Sequence, residues 1–594
     1  MRNLAGSSVA LASLLALTVF GQEPVPGPEM QVCNEDFARN IVEQQAAESR
    51  TVADTDKRTR MLTRSADFLW KFDEPKAREY FTEAFKVATD RYNEKGFERT
   101  EYGGGISVQH PDHRFEVLDA IAKRDPTWAR KLTDEILKEY EKNAKDRDSL
   151  DKNREIDSLL NIASENIKTN PDLSWFIYRR LMRMDLDHHW YWSLFTIARK
   201  DRVFADALYN ELLASYSVAS PRKVIYLSAY PFARSQVLGY ESTMYIANIE
   251  DVAPNPQMQA RFIDLLLRRS DAYASDPANY GRQPEPNRPG EAVYIVTALQ
   301  ELEPIIIQSF PAFLPRLNTA RAKAISMLNE SDRKSIGDRD KWKASVTKGI
   351  EERLAELEKA DEEGKLTDGM ILRTLTGGMK NEEHFKKMEP WLEKITDTEG
   401  RAKSISYFHF LRSKLATKEK RYADAQKYAS KVIEVDFQAL LWFDAAENQL
   451  KDINDAVMAY ETLADVGRLA RRAEDSVGKA RVLLGLANLY EKLNHSFAIS
   501  ELSEAVAVAN RLKDADLQTR WLLYHIKVKD MAFGASIGTP GYDLEHTFGI
   551  VSKNDFSLPL SNAKAIDDKF YRTIAVIAVA KNCIDRPKPK VALN

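Results

Sequence analysis

The sequence predicts an all-α protein built as an α-α superhelix, a solenoid of stacked helical hairpins. Three observations carry this. Apolar residues recur at spacings of three and four along most of the chain. Gly (24) and Pro (23) are scarce for 594 residues, together about 8% against roughly 12% in average proteins, which argues against a turn-rich β protein. A unit of stripe, break and stripe also returns along the chain, and the Ile-Ala pairs Ile121-Ala122, Ile162-Ala163 and Ile197-Ala198 are 41 and 35 residues apart. That interval is the size of a helix-turn-helix repeat.

Composition narrows the class further. Lys plus Arg is 86 and Asp plus Glu 89, a net charge of −3, so no excess of basic groups is available to displace phosphate counterions and no nucleic-acid partner is expected. A hydrophobic fraction of 44% with 29% charged residues excludes a fully disordered chain. Two cysteines exclude a disulfide framework and a Cys-based zinc module.

Residues 1–21 read as a signal peptide: Arg2, then an uncharged run from Leu4 to Phe20, then Val19 and Gly21 placed for cleavage before Gln22. The expected location is therefore exported, periplasmic or extracellular. Glu23-Pro24-Val25-Pro26-Gly27-Pro28 cannot continue a helix, and residues 22–56 are read as an N-terminal segment with a disordered start. No integral membrane segment is expected after cleavage. The best later candidate, Ala292 to Leu314, is interrupted by Gln300, Glu301, Glu303, Pro304, Gln308 and Pro311. Cys33 and Cys583 sit near opposite ends of the mature chain. An exported compartment permits a bond between them, but whether the ends meet is open at this point.

Residues 57–280 form an N-terminal helical-repeat region. Leu62, Ala66, Leu69 and Phe72 make one stripe and Ala77, Phe81, Ala84 and Phe85 the next. Asp73 is placed to cap the second helix, with Pro75 in its first turn. The plan returns around Asp125-Pro126, Asn170-Pro171 and Asp201. A hairpin alone leaves one stripe exposed, and a neighbouring hairpin covers it. The stretch from Tyr92 to His113, with Gly103-Gly104-Gly105, is expected to be a long loop. The stretch from Ser220 to Pro256 is expected to be an irregular, aromatic-rich excursion, so Tyr226, Tyr230, Phe232 and Tyr240 are better candidates for a surface role than the aromatics of the helical stripes, though core remains the reading for most such rings.

Residues 281–400 form a charged middle region after the loop at Ser275 to Gly290. From Ser331 to Gly400 there are 31 charged residues in 70, yet Trp342, Val346, Ile350, Leu354 and Leu357 trace one apolar stripe, so a solvated helical region is expected. Residues 401–594 form a second repeat region, with a loop from Gly534 to Ser561 and a terminal helix around Phe570 to Ile584.

Four places carry an Ala, a second residue four on that is large in three of them, and a small or aliphatic residue three further. They are Ala77, Phe81, Ala84; Ala425, Ala429, Val432; Ala456, Tyr460, Leu463; and Ala498, Leu502, Ala505. Here the chain resembles the tetratricopeptide repeat in degenerate form. The family's Trp is absent from every unit. Thr89, Phe437, Arg468 and Asn510 stand where its closing Pro belongs, and Gly485 falls one position from its small residue. The resemblance implies a scaffold whose concave face binds peptides or partner proteins.

Chemistry-bearing clusters are few. His110, Asp112 and His113 share a loop, as do Asp187, His188 and His189, but neighbouring side chains rarely converge on a metal. There is no G-x-S-x-G and no phosphate loop. No catalytic, cofactor-binding or metal residue is assigned, no cofactor is expected, and the ligand-binding residues are not identified. Trp175, Tyr178, Trp190, Tyr191, Trp192 and Phe195 form an aromatic cluster, read chiefly as core between layers. The sequence thus favours an exported non-enzymatic scaffold binding a protein or peptide partner in a groove. The alternative is an exported enzyme on a helical scaffold, acting on polysaccharide or peptide through dispersed acidic residues.

Overall fold

The computed structural model describes residues 33–584, apart from 96–98, 103–104, 109–111, 144–148, 185–188, 242–248, 250–251, 278–288, 347, 453, 514 and 540–541. The signal peptide expected at 1–21 lies outside the described residues.

Helices dominate. The first half holds α1 (Glu35–Ser49), α2 (Thr55–Leu69), α3 (Glu74–Lys95), α4 (Arg114–Ala122), α5 (Pro126–Asn143), α6 (Ser149–Glu165), α7 (Pro171–Leu181), α8 (His189–Lys200), α9 (Arg202–Ser215), α10 (Pro221–Ile225), α11 (Pro256–Ser275), α12 (Glu291–Ser309), α13 (Leu314–Ser326) and α14 (Glu330–Val346). The second half holds α15 (Ile350–Glu362), α16 (Asp368–Leu375), α17 (Glu382–Leu392), α18 (Thr398–Lys418), α19 (Tyr422–Ala429), α20 (Val435–Asp452), α21 (Ala456–Arg472), α22 (Val477–Tyr490), α23 (His495–Arg511), α24 (Leu544–Val551), α25 (Ser557–Lys564) and α26 (Lys569–Ile584). Two antiparallel hairpins complete it: β1 (Arg99–Tyr102) with β2 (Gly105–Val108), and β3 (Trp521–Val528) with β4 (Met531–Gly538).

Local chemistry places the helix ends. Asp73 accepts from the Lys76 amide at 3.1 Å, and Asp125 from the Trp128 amide at 2.9 Å. Asp201 accepts from the Phe204 amide at 2.9 Å. Each satisfies a donor the helix cannot. The Ile-Ala pairs fall on buried faces, with Ile121, Ala122, Ile162, Ala163, Ile197, Ile577 and Ala578 all in the core.

Consecutive helices pair as hairpins, and alternate helices stack on one another. α2 packs on α4, α4 on α6 and α6 on α8; α9 packs on α11, and α10 on α12, which packs on α14. In the second half α16 packs on α18, α18 on α20, α20 on α22, α22 on α24 and α24 on α26. The series then returns to its start, because α26 packs on both α1 and α2. Cys33 and Cys583 are disulfide-bonded there, with Cα atoms 4.9 Å apart across a separation of 550 residues. Polar contacts line the same seam. Lys57 pairs with Asp568 at 2.8 Å, Arg572 with Glu48 at 2.5 Å and Arg64 with Glu545 at 2.6 Å. The stack is thus an α-solenoid whose first and last described helices are neighbours, and the chain crosses from α14 to α15 through residues 347–349.

Four expectations are corrected. The loop from Tyr92 to His113 contains the β1–β2 hairpin. The loop from Gly534 to Ser561 contains β4, α24 and α25. Its glycines suggested a turn, but Gly534 and Gly538 lie within β4, opposite His525 and Trp521. The stripe from Trp342 to Leu357 is divided between α14 and α15, with Ile350, Leu354 and Leu357 buried on the second. The excursion after Ser220 is packed inward. Tyr226, Tyr230 and Phe232 are buried and Tyr240 half-buried. Tyr230 donates to Asp206 at 2.7 Å and packs against Phe195 and Tyr209 with ring centres 5.5 and 5.4 Å away. The large apolar area of those rings outweighs the irregular backbone around them. Gly239 ends this stretch at φ +75°, and a Cβ there would sit 2.8 Å from the Ala298 amide nitrogen. Only glycine fits.

Three of the four Ala-containing units are in register: Ala77, Phe81 and Ala84, Ala425, Ala429 and Val432, and Ala498, Leu502 and Ala505 are buried. In α21 the register is three residues later. Ala456 is exposed, while Ala459, Leu463 and Val466 are fully buried with the same spacing.

Candidate functional site

The two histidine clusters do not assemble a metal site from their described members. Asp112 is committed to Arg114, which it binds through both carboxylate oxygens at 2.7–3.0 Å. Arg114 also reaches Glu139 at 2.9 Å and lies 3.7 Å from the centre of the Tyr92 ring. His113 contacts Glu116 at 3.1 Å. Burial opposes ionisation of Glu116, but the His113 hydrogen bond and the nearby Arg60 outweigh it and hold its carboxyl at about 2. These side chains knit α2, α4 and α5 together. His110, Asp187, His188 and the side chain of His189 lie outside the described residues. Among the described residues no group of three His, Cys, Asp or Glu converges as metal ligands.

The aromatic cluster divides. Tyr178, Trp190, Tyr191 and Phe195 are buried between layers. Tyr191 donates to the Ser235 carbonyl at 2.8 Å. Trp192 is exposed on α8. Trp175 is half-buried and faces a groove, which is the candidate site.

That groove runs between α5 and α7 and encloses about 520 Å³, lined by Arg130, Asp172, Trp175, Phe176, Arg179, Arg180 and Arg183. Six of the seven come from α7 and the turn after it. Positions 172, 175, 176, 179 and 183 follow the three-and-four spacing of a single helix face. The opposite face, with Leu173, Ile177, Tyr178 and Leu181, is core. Helical period therefore sorts α7 into a buried apolar side and an outward side of arginine and aromatic residues.

The rings are held in place from behind. Trp175 stacks on Phe204 of α9 at 4.4 Å and 30°. The Arg179 guanidinium lies 4.8 Å over Trp175 and binds Glu211 through two hydrogen bonds at 3.0 and 2.8 Å, which raises its pKa. Arg180 bridges to Asp134 at 3.5 Å and Glu141 at 3.2 Å on α5. Asp134 stays below the usual carboxylate range, first through its Lys138 hydrogen bond and then through the charges of Arg180 and Arg130. Arg130 stacks over Phe176 at 4.4 Å. Among the described residues neither Arg130 nor Arg183 has a carboxylate within ion-pair distance. The groove thus holds two arginines fixed by acids and two with their hydrogen-bond donors free, around a pair of preorganised rings. Arginine and tryptophan are the residues that carry energy at protein interfaces, and Asp172 is the one carboxylate among the lining residues.

The doublet Arg179-Arg180 and Arg183 were visible in the sequence but passed over. The signal was one helix face combining Trp, Phe and Arg. A second surface was not foreseen at all. β3 alternates buried Leu522, Tyr524, Ile526 and Val528 with exposed Trp521, Leu523, His525 and Lys527. Trp521 and Leu523 are 62% and 69% exposed. The period-two alternation at 522–528 would have revealed it.

Comparison of the chain with protein-family models finds no match, and comparison with curated proteins finds none either.

Proposed function

We propose that this protein is an exported, non-enzymatic helical-repeat scaffold that binds a protein or peptide partner, and that the partner lies in the α5–α7 groove. The observation that carries this is the makeup of the groove: Arg130 and Arg183 with free donors beside the braced rings of Trp175 and Phe176. Such a set binds by stacking and charge-assisted hydrogen bonds and offers no proton-transfer pair. Three in-register Ala-containing units support a tetratricopeptide-like geometry for the hairpins. The Cys33–Cys583 bond supports export, because such bonds persist in oxidising compartments.

The enzyme alternative needs two carboxylates poised against one another. Burial raises Glu291, Asp436, Asp444 and Glu501, and Asp444 and Glu501 pair with Lys414 at 3.5 Å and Arg471 at 3.4 Å. Glu291 accepts from the Arg222 amide at 2.6 Å. Asp436 lines a cavity of about 20 Å³ shared with Arg481, too small for more than a water.

The test is a photocrosslinking residue placed at Trp175 in the full chain, with a control at Val457, which is 70% exposed on α21. In material from the exporting cells, a discrete protein adduct at position 175 and none at 457 is the expected result. Equal labelling at both positions, or none at 175, overturns the assignment of the groove.

A further inference from the structure

We infer that the α5–α7 groove selects an acidic segment of its partner, one in which carboxylate side chains alternate with an apolar one; this rests on the scaffold reading and adds the chemistry of the bound chain. The argument starts from the state of the four guanidinium groups. Arg179 and Arg180 are already neutralised by Glu211, Asp134 and Glu141. Their role is to brace Trp175 and to tie α7 to α5. Arg183, just past the end of α7, and Arg130, on α5, are exposed and keep their forks open. A guanidinium presents two parallel N–H groups, which match the two oxygens of a carboxylate. The Arg130 guanidinium lies over the Phe176 ring, 4.4 Å from its centre, and that contact restricts its freedom before any ligand arrives, so less is lost on binding.

Between these two cations lie the half-buried faces of Trp175 and Phe176, which suit an apolar side chain. A volume of about 520 Å³ takes several side chains, not a single small ion. Asp172 is the one lining carboxylate. It stands one residue into α7, at the far end of the helix from Arg183, and it disfavours a chain of unbroken negative charge. The pattern favoured is carboxylate, apolar, carboxylate. The whole chain is slightly acidic at −3, so attraction for an acidic partner comes from this groove and not from a general basic surface.

The experiment uses the full oxidised chain and fluorescence anisotropy. The probes are a fluorescein-labelled twelve-residue peptide of Asp and Glu interrupted by two Phe, the same peptide with Asn and Gln in place of the acids, and polygalacturonate as a carboxylate polymer that is not a peptide. The acidic peptide is expected to bind and to weaken steeply with added salt. Arg183→Glu and Arg130→Glu are each expected to weaken it at least tenfold. Neither side chain makes a described ion pair, so the circular dichroism spectrum should hold; Arg130 also packs over Phe176 and acts on Asp134, so Arg183→Glu carries the test if Arg130→Glu lowers the melting temperature. Equal binding of the amide peptide, retention of binding in both variants, or no binding of the acidic peptide overturns the inference. Tighter binding of polygalacturonate than of the peptide overturns it in favour of an anionic carbohydrate. The two readings fail separately. A partner crosslinked at position 175 and still captured by the double Glu variant leaves the scaffold standing and removes the acidic segment. Peptide binding without any crosslinked protein does the reverse.

Discussion

The two places where the halves of this molecule join are built in opposite ways. At one, α26 packs on α1 and α2, and three ion pairs and a disulfide cross the contact. At the other, α14 passes to α15 through residues 347–349 of the backbone. The first junction is made by side chains 481 to 550 residues apart and the second by the peptide chain itself. Covalently, the two are equivalent. Residues 33 to 583 form one closed loop, which either a reduced disulfide or a cut backbone opens. What differs is the packing, so the comparison separates the contribution of connectivity from that of buried surface.

The largest effect should come from breaking both closures. A protease site placed between Lys348 and Gly349, cleaved in a chain carrying Cys33→Ser and Cys583→Ser, leaves two polypeptides held by the non-covalent contacts of α1 and α2 with α24, α26 and Phe556. Stability should then depend on protein concentration, which neither single change produces. Denaturation at two concentrations tenfold apart checks it; coincident curves would show that the halves fold independently.

Either closure broken alone should cost about 2–5 kcal/mol in a urea titration, through the freer unfolded chain. The cleaved disulfide-bonded protein and the uncleaved double Ser variant should agree within about 1 kcal/mol if connectivity is the cause. A much larger loss in the Ser variant would mean that the seam's packing needs the sulfur bridge.

Acid should loosen the arc between the junctions. His409 on α18 is 5% exposed, with its ring nearly parallel to Tyr428 at 6.3 Å. Burial, aided by the charges of Lys431 and Arg412, lowers its pKa from 6.5 to about 4. Between those values the unfolded chain binds the proton more readily, so stability falls as pH falls from 6.5 to 4. The wild type should lose about 1–3 kcal/mol more over that range than His409→Gln. Parallel curves for the two would dismiss the histidine as the cause.

A smaller effect belongs to Asp568. It pairs with Lys57 and also caps α26, accepting from the amides of Phe570 and Tyr571 at 2.8 and 3.1 Å. Asp568→Ala should cost about 1–2 kcal/mol, mostly through the lost cap. If Lys57→Met costs as much, the ion pair carries the effect instead.

What could be read from the sequence follows the physics of each stretch. Ala77, Phe81 and Ala84 announced their helix because period and burial agree. α21 announced its helix but misled on its register, since Ala456 and Ala459 both begin an Ala-large-aliphatic series and only packing chooses between them. The β3–β4 hairpin was hidden by Gly534 and Gly538, which read as turn residues. In the structure both lie within the strand, and Gly538 sits beneath Trp521, which lies 3.7 Å from the position its Cβ would take. The burial of Tyr226, Tyr230 and Phe232 was illegible because their partners, Phe195, Asp206 and Phe262, come from separate helices. The groove residues on α7 were legible as a helix face. Their grouping with Arg130, 42 residues earlier on the neighbouring helix, was not.

The bond between Cys33 and Cys583 also decides how the molecule responds to tension. A pull applied between the two tails of the polypeptide passes from sulfur to sulfur and never enters the helices. Any tension too weak to break a covalent bond leaves the hairpins between them slack until that link is reduced.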